Sequence, residues 1–335
     1  MSSEVIIVGQ GLAGTCLAWR LWGRGREFRL LHSESRRSTS SISAGLLTPV
    51  TGRSLNPSWR LEEFLGEAMS FYRDVEGILG EKLFHEVPIV RLFSDGEEPR
   101  RLESKREVVQ PWVGGMLAGG NSPYLAPHGG VIWKAGGWLD THRFLEASRS
   151  FFRQEGLVDE VEVNLVEPLR GGGVTALCAG AAGLEAGPFD FLPERRAKGE
   201  LLTVRIPGLP EDQVVSRNGW LIPLGGGLFR AGSTYRWDDL TDRITDAGRQ
   251  EIEALIRSLT NFPCEVVEHV AGVRPIVRQS RPVIGRHPQD QNLAIFNGLG
   301  SKGVLYAPGA AERLAAHLSE GTGIEEDLDV RSLAV

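Results

Sequence analysis

Three glycines near the start of the chain have a spacing suited to binding a dinucleotide. They are Gly9, Gly11 and Gly14 in "IIVGQGLAGTC", between an apolar run and a helical pattern. The first glycine permits a sharp turn, the second lets the backbone approach a pyrophosphate, and the third lets the helix pack against the strand. A helix beginning here also directs unpaired N–H groups at phosphates. The motif predicts a dinucleotide site, with a ligand-free glycine turn as the alternative.

The residue expected at the ribose of that nucleotide departs from the usual pattern. A carboxylate normally follows the second strand and hydrogen-bonds the ribose hydroxyls, but here the position is His32. A neutral imidazole can also donate to or accept from a hydroxyl. Glu34 follows two residues later and is an alternative contact. The sequence leaves the choice between these two side chains open.

A hydroxyl-rich segment after the second strand offers further ligand contacts. In "RRSTSSISAGLLTPVTGR", the side chains of Ser38, Thr39 and Ser40 could meet phosphate oxygens. The small residues Ala44 and Gly45 would let a flat ring approach the backbone. An ordinary loop is the alternative interpretation of this segment.

The elements that must position these residues are strands and helices in alternation. An apolar strand at 4–8 leads into the first helix, and a second strand follows at 28–31. Apolar periodicity predicts helices over 58–79 and 241–259, and Asp140 or Thr141 is expected to cap another. "VTALCAG" is typical of a returning sheet strand, and "KGELLTVRI", "NGWLIPLGGG" and "LFRAGSTYRW" are typical of antiparallel strands. The pattern at 293–318 predicts a further strand, a second glycine-rich turn and a helix.

Composition narrows the classes of protein that fit. The 335 residues are 41% hydrophobic and 24% charged, as in a globular protein, and the net charge of −6 weighs against a non-specific nucleic-acid binder. The basic cluster of Arg195, Arg196 and Lys198 is interpreted as solvated loop charge. Three widely spaced cysteines fit neither a disulfide framework nor a cysteine-rich zinc site, so no metal is expected. Without a long apolar window or a signal-peptide pattern, we expect a cytoplasmic protein and no membrane partner.

Seven motifs in this order resemble the D-amino-acid oxidase superfamily of FAD-dependent oxidoreductases. They are "VIIVGQGLAG", "STSSISAGLLTP", "GGWLDTHRF", "KGELL", "GWLIPLGGGLFRAGST", "GVRPIVRQSRPVIGR" and "FNGLGSKGVLYAP". Within the superfamily they are similar to glycine oxidase and to the oxidase domain of the bifunctional enzyme that completes 5-methylaminomethyl-uridine in tRNA. "GLGSKG" favours the second of these.

The resemblance implies an α/β fold with a Rossmann-like FAD-binding domain of the discontinuous GR2 type and a smaller antiparallel-sheet substrate domain. Residues 1–75, 138–200 and 268–335 are expected in the FAD-binding domain. Residues 76–137 and 201–267 are expected in the substrate domain. Because no cysteine falls where flavinylated relatives attach the cofactor, we expect non-covalent FAD.

The resemblance also implies the cofactor contacts. Glycines of the first turn would meet the pyrophosphate, His32 the ribose, and Val161 the adenine. The segment 300–305 would wrap the pyrimidine end of the flavin, where Lys302 could stabilise negative charge on the reduced ring. The full implied set is Gly9, Gly11, Leu12, Ala13, Gly14, His32, Ser38, Thr39, Ser40, Ala44, Gly45, Leu46, Val161, Gly300, Ser301, Lys302, Gly303, Val304 and Leu305.

For the substrate, the resemblance points to Arg274, Trp220 and Ser301. Arg274 belongs to the Gly-x-Arg-Pro motif that grips a carboxylate in this superfamily, a task suited to a planar guanidinium with two parallel donors. An internal ion pair is its alternative role. Trp220 stands where relatives often have Tyr, and it offers an apolar wall with an indole N–H. Simple core packing is the alternative for Trp220.

The implied function is oxidation of the C–N bond of an amine or amino acid. Hydride would pass from the substrate carbon to flavin N5, and the imine would then hydrolyse. Arg274 and Lys302 are the expected catalytic residues, and reaction of the neutral amine predicts a mildly alkaline optimum. The electron acceptor, oxygen or another, and the oligomeric state stay open. Two alternatives are oxidation of a tRNA-uridine carboxymethylaminomethyl side chain and flavin binding without turnover.

Overall fold

A computed structural model describes residues 4–33, 38–120, 123–165, 173–277 and 281–334. The helices are α1 (Leu12–Gly23), α2 (Leu61–Leu79), α3 (Glu98–Ser104), α4 (Arg106–Val109), α5 (Thr141–Gln154), α6 (Ala182–Glu185), α7 (Asp246–Leu259) and α8 (Gly303–Glu320). The strands are β1 (Val5–Val8), β2 (Phe28–His32), β3 (Leu46–Leu47), β4 (Val50–Thr51), β5 (Asn56–Pro57), β6 (Phe84–Glu86), β7 (Ile89–Leu92), β8 (Val113–Leu117), β9 (Gly130–Trp133), β10 (Gly137–Leu139), β11 (Val158–Glu160), β12 (Val174–Leu177), β13 (Ala197–Arg205), β14 (Val214–Ser216), β15 (Trp220–Gly225), β16 (Leu228–Gly232), β17 (Glu265–Arg274), β18 (Val283–Arg286) and β19 (Leu293–Asn297). Short 3₁₀ helices cover Thr39–Ile42, Gln110–Trp112 and Val330–Leu333.

The first sheet has six strands in the order β11-β2-β1-β12-β19-β18. Its pairings are parallel except for the antiparallel pair of β18 and β19. Strands β1 and β12 are short apolar runs, as expected of parallel strands covered on both faces. The chain leaves β1 towards β2 on one side, while β12 lies on the other. Such a switch point is where open α/β sheets bind ligands, at the carboxyl ends of the strands.

Helices α1, α2, α5 and α8 pack with this sheet into one hydrophobic core. The predicted apolar face of α2 is buried, and its members are Leu61, Phe64, Leu65, Ala68, Phe71, Tyr72 and Val75. The Tyr72 hydroxyl donates to the Val304 carbonyl oxygen at 2.9 Å. This bond ties α2 to the first turn of α8 and so fixes the second glycine-rich turn.

The second sheet has eight strands in the order β17-β13-β16-β15-β14-β7-β9-β8. It is antiparallel except for the parallel pair of β14 and β7. Strand β13 pairs with β17 from Ala197 opposite Arg274, and with β16 from Leu201 opposite Gly232. This register brings the start of β13, the end of β16 and the end of β17 together at one corner of the sheet.

The α/β fold is confirmed, and the element boundaries differ from the predictions in detail. Helix α2 begins at Leu61 rather than at 58, and α7 begins after Thr245, whose side chain accepts from the Gly248 N–H. Asp140 caps α5 by accepting from the Arg143 N–H. The predicted domain boundaries near 75, 138, 200 and 267 each fall inside a continuous element, namely α2, β10, β13 and β17. The division into two domains stays a prediction.

The prediction that Lys198 is a solvated loop charge is wrong. Lys198, in β13 of the eight-stranded sheet, is fully buried rather than solvated, and its ammonium pairs with Asp239 at 2.5 Å and with Glu200 at 3.8 Å.

No helix in the described part of the chain has both the length and the apolar character needed to cross a membrane.

Candidate functional site

A cavity of about 1210 Å³ lies at the carboxyl ends of the parallel strands and extends to the eight-stranded sheet. It exceeds the ~300–1,000 Å³ typical of small-ligand pockets. Of the predicted site residues, only Gly14 lies outside its lining. The predicted residues that do line it are Gly9, Gly11, Leu12, Ala13, His32, Ser38, Thr39, Ser40, Ala44, Gly45, Leu46, Val161, Trp220, Arg274, Gly300, Ser301, Lys302, Gly303, Val304 and Leu305. The structure therefore brings the two glycine turns and the substrate candidates to one cavity.

Glycine is required at the three positions of the first turn for different structural reasons. Gly9 has φ +102°, and a Cβ there would lie 2.7 Å from the Cys178 carbonyl oxygen. A Cβ on Gly14 would overlap the Gly9 carbonyl oxygen, so this glycine serves packing of α1 on the turn. A Cβ on Gly11 would crowd the side chains of Ser38 and Ser40, with 3.1 Å to each hydroxyl oxygen. Gly11 therefore lets these two hydroxyls lie close to the first turn at the cavity wall.

The hydroxyl-rich segment is fixed against this turn. The Ser40 hydroxyl accepts from the Leu12 N–H at 3.1 Å, and the Ser38 hydroxyl accepts from the Ser40 N–H at 3.2 Å. Since a hydroxyl is both donor and acceptor, each serine keeps a proton that can bond to a phosphate oxygen. The Thr39 hydroxyl instead donates to the Val273 carbonyl oxygen at 3.1 Å. Thr39 therefore anchors the segment to β17.

Gly45 has a packing role that the sequence did not indicate. Its φ is +68°, and a Cβ would overlap the Leu139 carbonyl oxygen, with 2.9 Å to the carbonyl carbon. The Leu139 N–H donates to the Gly45 carbonyl oxygen at 3.0 Å. The close approach of β10 therefore accounts for glycine at this position, in addition to its place in the cavity wall.

The second glycine turn brings another helix N-terminus to the cavity. Gly300 has φ +54°, and its N–H donates to the Pro275 carbonyl oxygen at 2.9 Å. A Cβ on Gly303 would lie 3.0 Å from the Leu12 side chain, so α8 begins directly against the beginning of α1. Two helix N-termini, each favourable to negative charge, therefore meet at one cavity.

Lys302 places an ammonium group in the cavity wall. Its Nζ donates to the hydroxyls of Thr51 and Ser58, at 3.2 Å each. Burial lowers the pKa of Lys302 below its usual value. No carboxylate pairs with it among the described residues. The cation is thus available to a negative charge in the cavity.

Arg274 ends β17 with its guanidinium at the cavity. It donates to the Lys198 carbonyl oxygen at 3.1 Å, the Ser233 hydroxyl at 2.7 Å and the Thr234 carbonyl oxygen at 3.2 Å. Its Cζ lies 4.6 Å from the centre of the Tyr235 ring, and burial lowers its pKa. Within the described chain the alternative role in an internal ion pair is not seen, because its partners are neutral.

Trp220 combines the two roles considered from the sequence. It lines the cavity, and it also packs against the cluster that contains Val214 and Ile222. A Cβ on the neighbouring Gly232 would lie 3.2 Å from the indole ring. Trp220 is therefore both a wall of the cavity and part of the sheet packing.

At the other end of the cavity, β2 and β11 form the edge of the six-stranded sheet. His32 ends β2, and its carbonyl oxygen accepts from the Val161 N–H at 2.9 Å. Val161 is 40% exposed at the cavity rim. Glu34 lies outside the described residues. Glu162 lines the same rim and accepts from the Ser33 hydroxyl at 2.6 Å, which supplies a carboxylate near the predicted ribose position.

Sequence reasoning missed Glu162, Thr51, Ser58, Ser233 and Gly199. Glu162 reaches the rim through pairing of β11 with β2, which the sequence does not show. Gly199 and Ser233 do lie in the motifs "KGELL" and "FRAGST", but nothing in those strings says what they contact.

The chain is similar to known proteins over nearly its whole length. It is 27% identical over 333 residues to the tRNA 5-methylaminomethyl-2-thiouridine biosynthesis bifunctional protein MnmC of Maricaulis maris, covering 96% of this chain and 53% of that protein. It is 24% identical over 380 residues to the MnmC protein of Methylibium petroleiphilum, covering 95% and 57%. The chain thus spans about half the length of these curated relatives.

Solved structures share the fold. Glycine oxidase from Bacillus cereus has a TM-score of 0.81 at 18% identity, and iminodiacetate oxidase from Chelativorans sp. has 0.79 at 19%, each over 96% of both chains. The family model described as FAD dependent oxidoreductase matches residues 4–317. The chain therefore belongs to the family of FAD-dependent oxidoreductases and is an FAD enzyme.

Proposed function

We propose that the protein oxidises the C–N bond of a small amine that carries a carboxylate, that is, an amino acid or an N-substituted amino acid. The observation that carries this proposal is Arg274, a guanidinium at the cavity without a carboxylate partner among the described residues. A partly buried cation is costly unless an anion compensates it. A substrate carboxylate would supply that anion.

The residues around the first glycine turn suit FAD. The backbone of the turn at Gly11, the hydroxyls of Ser38 and Ser40, and the N-terminus of α1 would hold the pyrophosphate. His32, Val161 and the neighbouring Glu162 would hold the adenosine end. The turn before α8, from Gly300 to Leu305, would border the flavin ring together with Ala44, Gly45 and Leu46.

Bound FAD supplies the acceptor for the hydride that leaves the substrate carbon. The protein residues would bind and orient the substrate and stabilise the charge that develops in the cavity. Arg274 would hold the substrate carboxylate, and Trp220 and Ser301 would border the remaining substrate. Lys302 would place positive charge where negative charge grows on reduction, and it needs no reorientation because two hydroxyls already hold its ammonium.

The test is anaerobic loss of the visible FAD absorbance with matched pairs of substrates. Suitable pairs are glycine with methylamine, N-methylglycine with dimethylamine, and alanine with ethylamine. We expect the carboxylated member of a productive pair to react roughly thirtyfold faster or more, since removing one member of a buried charge pair and leaving the other unpaired costs ~2–5 kcal/mol. Equal rates within every productive pair would contradict the proposed carboxylate contact.

Arg274→Lys and Arg274→Ala provide the matched variants. Lysine should recover only part of the preference, because an ammonium lacks the planar pair of donors. FAD content and melting temperature should stay near wild type. If the variants lose FAD whatever the substrate, Arg274 instead has a structural role in the fold.

A second candidate function is oxidation of a carboxymethylaminomethyl side chain on tRNA uridine. The observation that favours it is similarity to the MnmC proteins along 96% of this chain. That side chain is itself an N-substituted glycine, so the same guanidinium could hold its carboxylate. Comparing flavin reduction by 5-carboxymethylaminomethyluridine and by N-methylglycine separates the two candidates. Flavin binding without turnover would be indicated if no amine in either set reduces the cofactor.

A further inference from the structure

The N–H groups of Arg274 are already largely engaged by the protein. Nη2 donates both to the Ser233 hydroxyl and to the Thr234 carbonyl oxygen, and Nη1 donates to the Lys198 carbonyl oxygen. A guanidinium grips a carboxylate with two adjacent, parallel N–H groups. Those pairs are formed either by Nη1 with Nη2 or by Nε with Nη2. Each pair includes an Nη2 N–H, so an incoming carboxylate must replace one of its two protein acceptors.

The two acceptors on Nη2 differ in how easily they can leave. The Thr234 carbonyl belongs to the backbone beside β13, where the Thr234 N–H donates to the Glu200 carbonyl oxygen at 3.3 Å and the Thr234 side chain accepts from the Glu200 N–H at 2.9 Å. The Ser233 hydroxyl sits on a single rotatable bond. Ser233 is therefore the acceptor that can turn aside.

The surroundings of Ser233 allow it to bind a carboxylate itself. Ser233 is half-buried and lines the main cavity together with Arg274. It also lines a smaller cavity of about 270 Å³ with Asn218 and Glu251, so its side chain has space on both sides. Its oxygen accepts from Arg274, and its own proton has no acceptor among the described residues.

We propose that Ser233 is a second carboxylate-binding residue, whose hydroxyl donates to the substrate carboxylate beside the Arg274 guanidinium and so determines the preference for acidic substrates. This inference rests on the proposed function. When the carboxylate enters, the Ser233 side chain turns, yields its place on Nη2 to one carboxylate oxygen and donates its own proton to the carboxylate. The carboxylate thereby gains a charge-assisted hydrogen bond from Ser233 beside those from the guanidinium.

The experiment measures binding of acetate to the FAD-loaded protein, by calorimetry and by perturbation of the flavin spectrum. Acetate carries the carboxylate without an amine, so it reports on the anion site without turnover. We expect Ser233→Ala to weaken acetate binding roughly tenfold to a hundredfold, the effect of losing one hydrogen bond to a charged group. Ser233→Thr keeps a hydroxyl and should recover most of the affinity.

Ser258→Ala is the matched control, because Ser258 lines only the smaller cavity and its hydroxyl donates to the Leu255 carbonyl oxygen. It should bind acetate like wild type. If Ser233→Ala binds acetate like wild type while Arg274→Ala does not bind it, the role of Ser233 is overturned. The proposed function is then unaffected. If wild type itself shows no acetate binding yet is reduced by uncharged amines, the carboxylate contact fails as a whole.

Discussion

The backbone of Gly199 lies directly against the guanidinium of Arg274. A Cβ built on Gly199 would overlap this group, with only 2.5 Å to Nη1. The contact is set by the register of β13 and β17, which places Ala197 opposite Arg274. Arg274 is thus held by a close backbone surface, by three hydrogen bonds and by the ring of Tyr235. Gly199 is a positioning residue for the guanidinium.

Gly199→Ala should displace Arg274 without emptying the FAD site. We expect the preference for carboxylated over uncharged substrates to fall roughly tenfold or more, since a displacement of about 1 Å can cost a hundredfold in rate. FAD content should not change. Gly66→Ala is the control, because a Cβ on Gly66 meets nothing within 4 Å, and alanine in a helix is favoured by ~0.5–1 kcal/mol. An unchanged preference in Gly199→Ala would show that the guanidinium position does not set selectivity.

The glycines of the first turn should separate folding from cofactor binding. Gly11→Val should fold, because the atoms nearest to its Cβ belong to the side chains of Ser38 and Ser40, which can shift, but it should lose FAD. Gly14→Val should fail to fold, because its side chain collides with the Gly9 backbone. Flavin absorbance and circular dichroism of the two purified variants check this. Full FAD occupancy in folded Gly11→Val would mean that the phosphates lie elsewhere.

Much of this architecture could be predicted from sequence because its signals are local. The Gly9–Gly14 turn, the apolar face of α2 and the Asp140 cap each depend on residues close together in the chain. Motif order then identified the family, and nearly all of the site residues expected from the resemblance line the cavity.

What could not be predicted depends on strand register and on contacts between distant segments. Gly45 and Gly11 look alike in sequence, yet a Cβ on Gly45 would overlap the Leu139 carbonyl oxygen, whereas a Cβ on Gly11 would crowd the side chains of Ser38 and Ser40. Lys198 looks like a surface charge, but its strand lies between β17 and β16 in a sheet, and Asp239 comes from 41 residues away. The Arg274–Ser233 bond likewise joins neighbouring regions of a sheet across 41 residues.

Replacing His32 should weaken FAD binding only modestly. His32→Ala removes at most one or two ribose hydrogen bonds, each worth about 0.5–1.5 kcal/mol, so we expect a loss of roughly two- to tenfold per bond. Titration of the FAD-free protein measures this. Glu162→Gln is the informative comparison, because bonds to a charged carboxylate are worth about 1.5–3 kcal/mol. A loss of FAD in His32→Ala as complete as in Gly11→Val would contradict this order.

Acid denaturation should release all of the flavin as FAD. Of the cysteines, Cys16 is buried and Cys264 lies outside the cavity lining. Cys178 borders the cavity beside the Gly9 turn, and burial raises the pKa of its thiol, which keeps it protonated and unreactive. Chromatography of the supernatant after precipitation checks the prediction. Yellow colour retained in the pellet would indicate a covalent bond.

Lys302 should determine how the reaction responds to alkaline pH. Burial lowers the pKa of Lys302, so its ammonium loses a proton at a lower pH than an exposed lysine does, below about 10.4. The reductive rate should therefore rise as the substrate amine loses its proton and fall again as Lys302 becomes neutral. Lys302→Arg keeps the charge and should shift the falling limb to higher pH. Lys302→Met should lower the rate roughly a hundredfold below the pKa of Lys302, the usual cost of losing one such group, and its rate should approach that of wild type above this pKa.

The stability of the FAD-free protein provides an independent check on Lys302. Since the folded pKa is lowered, the unfolded chain binds more protons between the two pKa values, and the free energy of unfolding should rise with pH across that interval. Lys302→Met removes this dependence and should melt no lower than wild type, because a partly buried cation without a carboxylate partner costs free energy. Thermal melts of wild type, Lys302→Met and Lys302→Arg across alkaline pH measure this. If FAD-free Lys302→Met melts well below wild type, the main role of Lys302 is to stabilise the fold through its bonds to Thr51 and Ser58. Its role as a positive charge facing the cofactor would then be contradicted.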